Sequence, residues 1–422
     1  MNVKFFKNNK FKSNSISLNI PIDLDEKITD INLICEMIKC GSVKYDSLKK
    51  LYSKLQELYG AYFNCYVNNC GEVALFTIYL EFLKDGYTYE DLSLWNEIIE
   101  FLNEIFYNVL QKDNCFNEEL LNIEKENLRK NILSLVDSKN YYAYVKCEQL
   151  ATKDEPYSNY IYGNVERLSE VDGKIIYDSY LKLKSSPYYF VIVGNFDENE
   201  IEKMLYDKFG ENLFMKFVSN SNKFLNTDFV EEFERFDVTQ TKLVISFKTP
   251  ITIFNGDYYA FFVFNKILGG GYSKLYREVR QKRNLVYYIN SYYEKFKGML
   301  SIECGIDDKN FDMTKEIILK EICGISKGEI SDYEIENAKK SIKKLLTSIK
   351  DSVSSIHSFV TPLYIFEKEF DLDKIFKNID EVDKDRIVEA SGKIFKSAIF
   401  SVRPLKEDEW WKFYKIIGLE NL

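Results

Sequence analysis

The 422-residue chain carries one histidine, His357, and only six prolines. A zinc helix of the HxxEH kind needs two histidines one helical turn apart, so the chain cannot build one. A Ser-His-Asp triad needs a single histidine and is not excluded by that count. A basic excess is also missing. The 57 Lys and Arg stand against 66 Asp and Glu, a net charge of −9, which argues against a nucleic-acid partner. Apolar runs such as Tyr188 to Val193 and Phe261 to Phe264 fall far short of the roughly 20 residues of a membrane helix. The opening stretch MNVKFFKNNKFKSN is polar and basic rather than an apolar signal segment, and eight cysteines are scattered along the chain. The expectation is a soluble cytoplasmic protein with reduced, mostly buried thiols and no membrane contact. Cys35/Cys40 and Cys65/Cys70 each enclose four residues, a spacing zinc permits, but helical and strand periodicity explains them as buried structural cysteines.

What is present is alternation. Strand patterns run over Ser15 to Ile20, Tyr62 to Val67, Val73 to Glu81, Tyr188 to Phe196, Thr241 to Phe247, Val286 to Tyr293, Met299 to Gly305 and Ala398 to Val402. Between them lie helical patterns, among them Ile28 to Ile38, Tyr45 to Tyr59, Leu94 to Val109, one long run from Asn117 to Leu150, Asp257 to Ile267, Ser273 to Asn284 and Asp332 to Ser352. Leu58 to Phe76 lies over Leu285 to Ile302, with Gly71 and Gly298 each thirteen residues after their leucines. Each copy follows an apolar helix ending at glycine. The chain reads as a duplicated α+β domain, each half a mainly antiparallel sheet packed with long helices. The expected division is 1–216, a polar linker 217–236, and 237–422.

The second copy, ILGGGYSKLYREVRQKRNLVYYINSYYEKFKGMLSIECGI, resembles the second domain of the M16 (pitrilysin, insulinase, mitochondrial processing peptidase) family. YYFVIVGNFDENEIEKM is similar to the strand and helix that close that family's first domain. EKENLRKNILSLVDSKNYYAYVKCEQ and KLQELYGAYF resemble, more narrowly, a bacterial M16-like branch connected with elongation factor P modification. The resemblance implies an HxxEH helix whose histidines hold zinc and whose glutamate is general base. Here that motif falls on Asn32-Leu33-Ile34-Cys35-Glu36, so both histidines and the base are absent. The family's further glutamate ligand falls on Asn131, seven residues after Glu124. Arg280 and Tyr287 match a family pair that binds the peptide backbone and stabilises oxyanion charge. The resemblance therefore implies a catalytically inactive subunit with no metal of its own. It would complete the zinc site of an HxxEH-bearing partner around a peptide, as a heterodimer. The alternative is a peptide-binding or scaffold homodimer in a modification pathway.

Plainer readings stand beside these. Arg277, Arg280, Lys282 and Arg283 fit the solvated face of a helix whose apolar face is Leu275, Tyr276 and Val279. Tyr287 lies in a tyrosine-rich strand where packing alone would explain it. Gly269-Gly270-Gly271 lacks the Lys-Ser/Thr of a phosphate loop and follows a helix, so helix termination is expected. His357 sits in DSVSSIHSFV with no nucleophile and carboxylate constellation beside it, and reads as a helix-surface or satisfied interior histidine. Trp410 and Trp411 fit either core packing or a subunit contact. An independent peptidase using a cysteine or a non-histidine metal site ranks last, because the sequence shows no neighbouring histidine, base or positive environment that would activate a thiolate.

Overall fold

The computed structural model describes residues 2–89, 93–211, 228–366, 368 and 370–406. Trp410, Trp411 and residues 217–227 of the expected linker lie outside them. The chain opens with β1 (Val3–Lys7), β2 (Ser13–Asp23), α1 (Ile28–Cys40), α2 (Leu48–Glu57) and the hairpin β3 (Tyr62–Cys70) and β4 (Val73–Leu83). There follow α3 (Trp95–Tyr107), the short hairpin β5 (Gln111–Lys112) and β6 (Cys115–Phe116), α4 (Glu118–Leu133) and α5 (Lys139–Ala151). Next come α6 (Val165–Glu170), α7 (Gly173–Lys184), β7 (Tyr189–Gly194) and α8 (Glu198–Phe209). The second half holds β8 (Val230–Phe236), β9 (Thr241–Lys248), α9 (Tyr258–Leu268), a π-turn (Tyr276–Gln281), β10 (Val286–Glu294) and β11 (Met299–Ile306). It ends with α10 (Phe311–Ser326), α11 (Asp332–Ser348), α12 (Val353–Ile365), α13 (Leu372–Asp380), α14 (Lys384–Ser391) and β12 (Phe395–Pro404). Asn117, Asp172, Asp197 and Asp383 start α4, α7, α8 and α14, each side chain accepting from a backbone N–H three residues on.

The first sheet runs β1-β7-β2-β4-β3 and the second β10-β11-β9-β12-β8. Read backward, the second superposes strand for strand on the first. In both, the terminal pair is parallel (β1 with β7, β8 with β12) and every other pair antiparallel. This is the duplicated, mainly antiparallel α+β architecture.

Two differences from the expected organisation concern where the chain is cut. The run from Asn117 to Leu150 is not one helix: α4 ends at Leu133, a tight turn covers Ser134–Asp137, and α5 begins at Lys139. The compact units are not contiguous halves either. One comprises Met1–Ser134, Asn159–Asn222 and Leu345–Leu372, the other Leu135–Ser158, Lys223–Lys344 and Asp373–Leu422. Thus α5, from the first half of the sequence, belongs with the second sheet, and α12 belongs with the first. The last residues of the expected linker are strand β8, paired along its length with β12.

The exchanged helices explain a strand pattern that looks half-exposed. In β2, Ile16, Leu18 and Ile20 enter the main core with Ile34, Phe76, Phe101 and Ile105, while Ser15, Ser17 and Asn19 alternate to the other face. That face is buried too, under α12. In the second unit, Val244, Ser246 and Lys248 of β9 face α5, and Val244 packs with Ala143 and Cys147.

Candidate functional site

The first helix carries the positions on which the expected metal motif falls. Asn32 is buried, and its amide donates to the carbonyls of Ile28 at 2.9 Å and Ile161 at 2.8 Å. It ties α1 to the chain ahead of α6. Cys35 is buried against Cys65, whose thiol burial, together with the Cys35 contact, holds well above its ordinary value. Glu36 pairs with Lys39 at 2.7 Å. Asn131 is an exposed residue of α4 whose carbonyl accepts from Ser134. Two turns earlier on that helix Glu124 accepts from the Cys40 thiol, which burial first, and then that carboxylate, push up to about 12. Zinc requires deprotonated thiols, neutral imidazoles or carboxylates converging on one point. The residues at these positions offer one buried amide already donating to backbone, one exposed amide, one buried thiol and a carboxylate paired with lysine. They do not fit the ion, and among the described residues no cluster of three or more His, Cys, Asp or Glu could hold one.

The second unit is built differently. Where the first half has the regular helix α2, the second has a single π-turn over Tyr276–Gln281, in which Lys282 N–H reaches back to the Arg277 carbonyl. The expected helix over Ser273 to Asn284 is shortened to residues 274–281, of which Tyr276–Gln281 are π-helical. Such turns are rare and frequently mark functional positions. Glu278 organises the basic residues around it. It pairs with Arg277 at 3.3 Å, Lys282 at 2.7 Å and Arg283 at 3.2 Å, and these partners hold its carboxyl near 2 against the opposing effect of burial. Arg277 also reaches Glu334 at 2.9 Å. Arg280 is the exception. It is exposed, forms no ion pair among the described residues, and lies over the Tyr276 ring at 5.6 Å.

Tyr287 sits on β10, an edge strand of its sheet. The β10 and β11 register slips between Val286 and Tyr288, leaving Tyr287 as the bulged residue. The matching pair β3 and β4 has no slip. A bulge re-aims a side chain, and here the ring is half exposed with its hydroxyl donating to Asp307 at 2.9 Å. That bond, first, and the nearby carboxylate raise the phenol, so Tyr287 keeps its proton. The glycines behave as a helix stop and a close-packing point. Gly269 N–H caps α9 on Asn265, and a Cβ there would sit 2.1 Å from the Ser291 Cβ on β10.

The comparisons with known proteins follow this geometry. A family model described as the peptidase M16 inactive domain matches residues 183–342, from the end of α7 into α11. The "Probable inactive metalloprotease YmfF" of Bacillus subtilis (strain 168) is 27% identical over 394 residues, 92% of each chain. The chain is similar to inactive M16 peptidase-like proteins. A conserved protein from Enterococcus faecalis V583 has the same fold at a TM-score of 0.87 and 26% identity, covering 96% of both chains. A structure from Pseudomonas fluorescens, described as a peptidase M16 inactive domain, aligns at 0.77 and 16% identity over 96% of each chain.

Elsewhere in this M16-like chain the remaining singular residues are structural. His357 is 1% exposed, its ring nitrogens bonded to the hydroxyls of Ser15 at 2.9 Å and Ser17 at 2.6 Å, with Tyr79 edge-on at 4.8 Å. Burial pushes it down to about 3, so it is neutral. Of the eight cysteines, five are buried and all are free thiols. No described helix is long and apolar enough to cross a membrane. The sequence reading missed Asp307 and the organising role of Glu278. Glu278 was legible as the one acid among four basic residues, whereas Asp307 meets Tyr287 only through the β10 and β11 pairing.

Proposed function

We propose that this chain is the peptide-holding subunit of a two-chain zinc peptidase, with Arg280 and Tyr287 as the groups it lends to an HxxEH-bearing partner. The observation that carries the reading is Arg280. Its neighbours Arg277, Lys282 and Arg283 are all ion-paired with Glu278, and Arg277 also with Glu334, while Arg280 is left exposed with no carboxylate partner among the described residues. A free guanidinium and a protonated phenol are the donors that a peptide carbonyl needs as it gains negative charge during hydrolysis. The bulge at Tyr287 and the π-turn at Arg280 support the reading further, because the first half of the duplication has neither. The partner would supply zinc, its water and the base. A cytoplasmic location and a peptide small enough to be enclosed belong to the same proposal.

The test is assembly. The chain is expected to co-purify with an HxxEH M16 protein at one-to-one stoichiometry by native mass spectrometry, and the mixture to cleave peptides that neither chain cleaves alone. A stable homodimer that ignores such a partner would replace this proposal with a peptide-binding or scaffold role in a modification pathway.

A further inference from the structure

The edge of the first sheet remote from β3 is open in a way the second sheet's chemistry does not explain. β1 is an edge strand, bonded only to β7. In that parallel pair the Asn2 carbonyl accepts from Phe190 N–H at 2.8 Å and the Asn8 N–H donates to the Gly194 carbonyl at 2.7 Å. Backbone direction alternates along a strand, so the even-numbered residues serve β7. The N–H and C=O groups of Val3, Phe5 and Lys7 point outward, with no backbone partner among the described residues. Beside them runs a groove of about 450 Å³, walled on the far side by Lys350, Ile356 of α12 and Phe370 to Leu372. All of these belong to one compact unit.

The lining has a definite charge. Lys7 shares Glu198 at 3.2 Å and Lys10 shares Asp351 at 2.9 Å, but Lys4 and Lys350 form no ion pair among the described residues. Asp371 is the single carboxylate of the lining and is already engaged. Between the free lysines lie apolar side chains, Phe6, Ile356 and Leu372. Lys4 and Phe6 are two apart on β1 and therefore share a face.

We propose that this groove binds an extended acidic peptide by strand addition. The peptide backbone pairs with Val3, Phe5 and Lys7. Its side chains on the α12 face alternate, an acidic residue opposite Lys4 and Lys350 and an apolar one beside Phe6. Main-chain pairing supplies affinity and the alternate pockets supply selection. This site is independent of Arg280 and Tyr287 and does not require a partner chain.

Fluorescence anisotropy with the fluorescein-labelled eight-residue peptide Glu-Thr-Val-Thr-Glu-Thr-Val-Thr, whose Glu and Val side chains alternate along one face of the extended strand, tests it on the full chain. Saturable binding that weakens with salt is expected, with at least a tenfold loss for Lys4→Glu combined with Lys350→Glu. The same peptide N-methylated at alternate amides should not bind, a control that leaves the protein unaltered. A peptide with Lys in place of Glu should bind at least tenfold more weakly. No saturable binding by the unmodified peptide, equal binding by the N-methylated or lysine peptide, or full affinity in the folded double variant would overturn the proposal.

Discussion

His357 shows how a chain with one histidine uses it. The imidazole lies between Ser15 and Ser17, and burial keeps it neutral down to about pH 3, whereas in the unfolded chain it titrates near 6.5. Between those values the unfolded chain binds one proton more than the folded one, so stability rises with pH across that window and is lost on acidification. The loss between pH 7 and 5 from this group is about 2 kcal/mol. In His357→Asn, the pH dependence of the unfolding midpoint should flatten by one proton over that interval, although the variant is less stable at pH 7. An unchanged slope would mean the ring is protonated in the folded state. Asn32 is the same kind of residue: a buried polar group whose amide is spent on backbone carbonyls, one of which ties α1 to the chain ahead of α6.

At the scale of elements, the two halves differ most where the second departs from regularity. Gly269 lets α9 end directly against β10, ahead of the π-turn that carries Arg280. Gly269→Ala places a methyl inside the Ser291 contact and should destabilise the second unit by about 1–3 kcal/mol, read as a lower thermal midpoint. An unshifted midpoint would show that α9 and β10 can separate freely. Eight strands were legible from alternation, and α1, α3 and α9 from their apolar stripes. Of the four that were not, β5 and β6 are the two-residue strands of one short hairpin, and β1 and β8 are the outer edges of their sheets. VKFFK and VEEFERF are short and charged, as edge strands commonly are, and read as polar termini or linker. The break between α4 and α5 escaped because both helices are amphipathic and no proline or glycine separates them. The face change there depends on which sheet each helix covers. Arg280 and Tyr287 were legible from their spacing and the family resemblance, but the π-turn and the bulge that set them apart come from tertiary pairing.

For the whole molecule, the duplication has been put to unequal use. Both halves keep the same strand order, and α5 and α12 each cover the sheet of the other half's unit. In the first half the positions on which the family's metal motif would fall are spent on packing: Asn32 on backbone, Cys35 on Cys65, Glu36 on Lys39. The second half keeps an unneutralised arginine and a protonated tyrosine. The account predicts that activity is a property of the pair and that this chain contributes to the reacting carbonyl rather than to the metal. The most direct measurement is kcat/KM for peptide cleavage by the reconstituted pair carrying Arg280→Ala or Tyr287→Phe, with assembly checked separately. Removing a donor to a developing oxyanion typically costs roughly 100- to 1,000-fold in rate, and a loss on that order with assembly intact is expected for Arg280→Ala, with a smaller one for Tyr287→Phe. Cleavage at the unsubstituted rate by both variants would contradict the account.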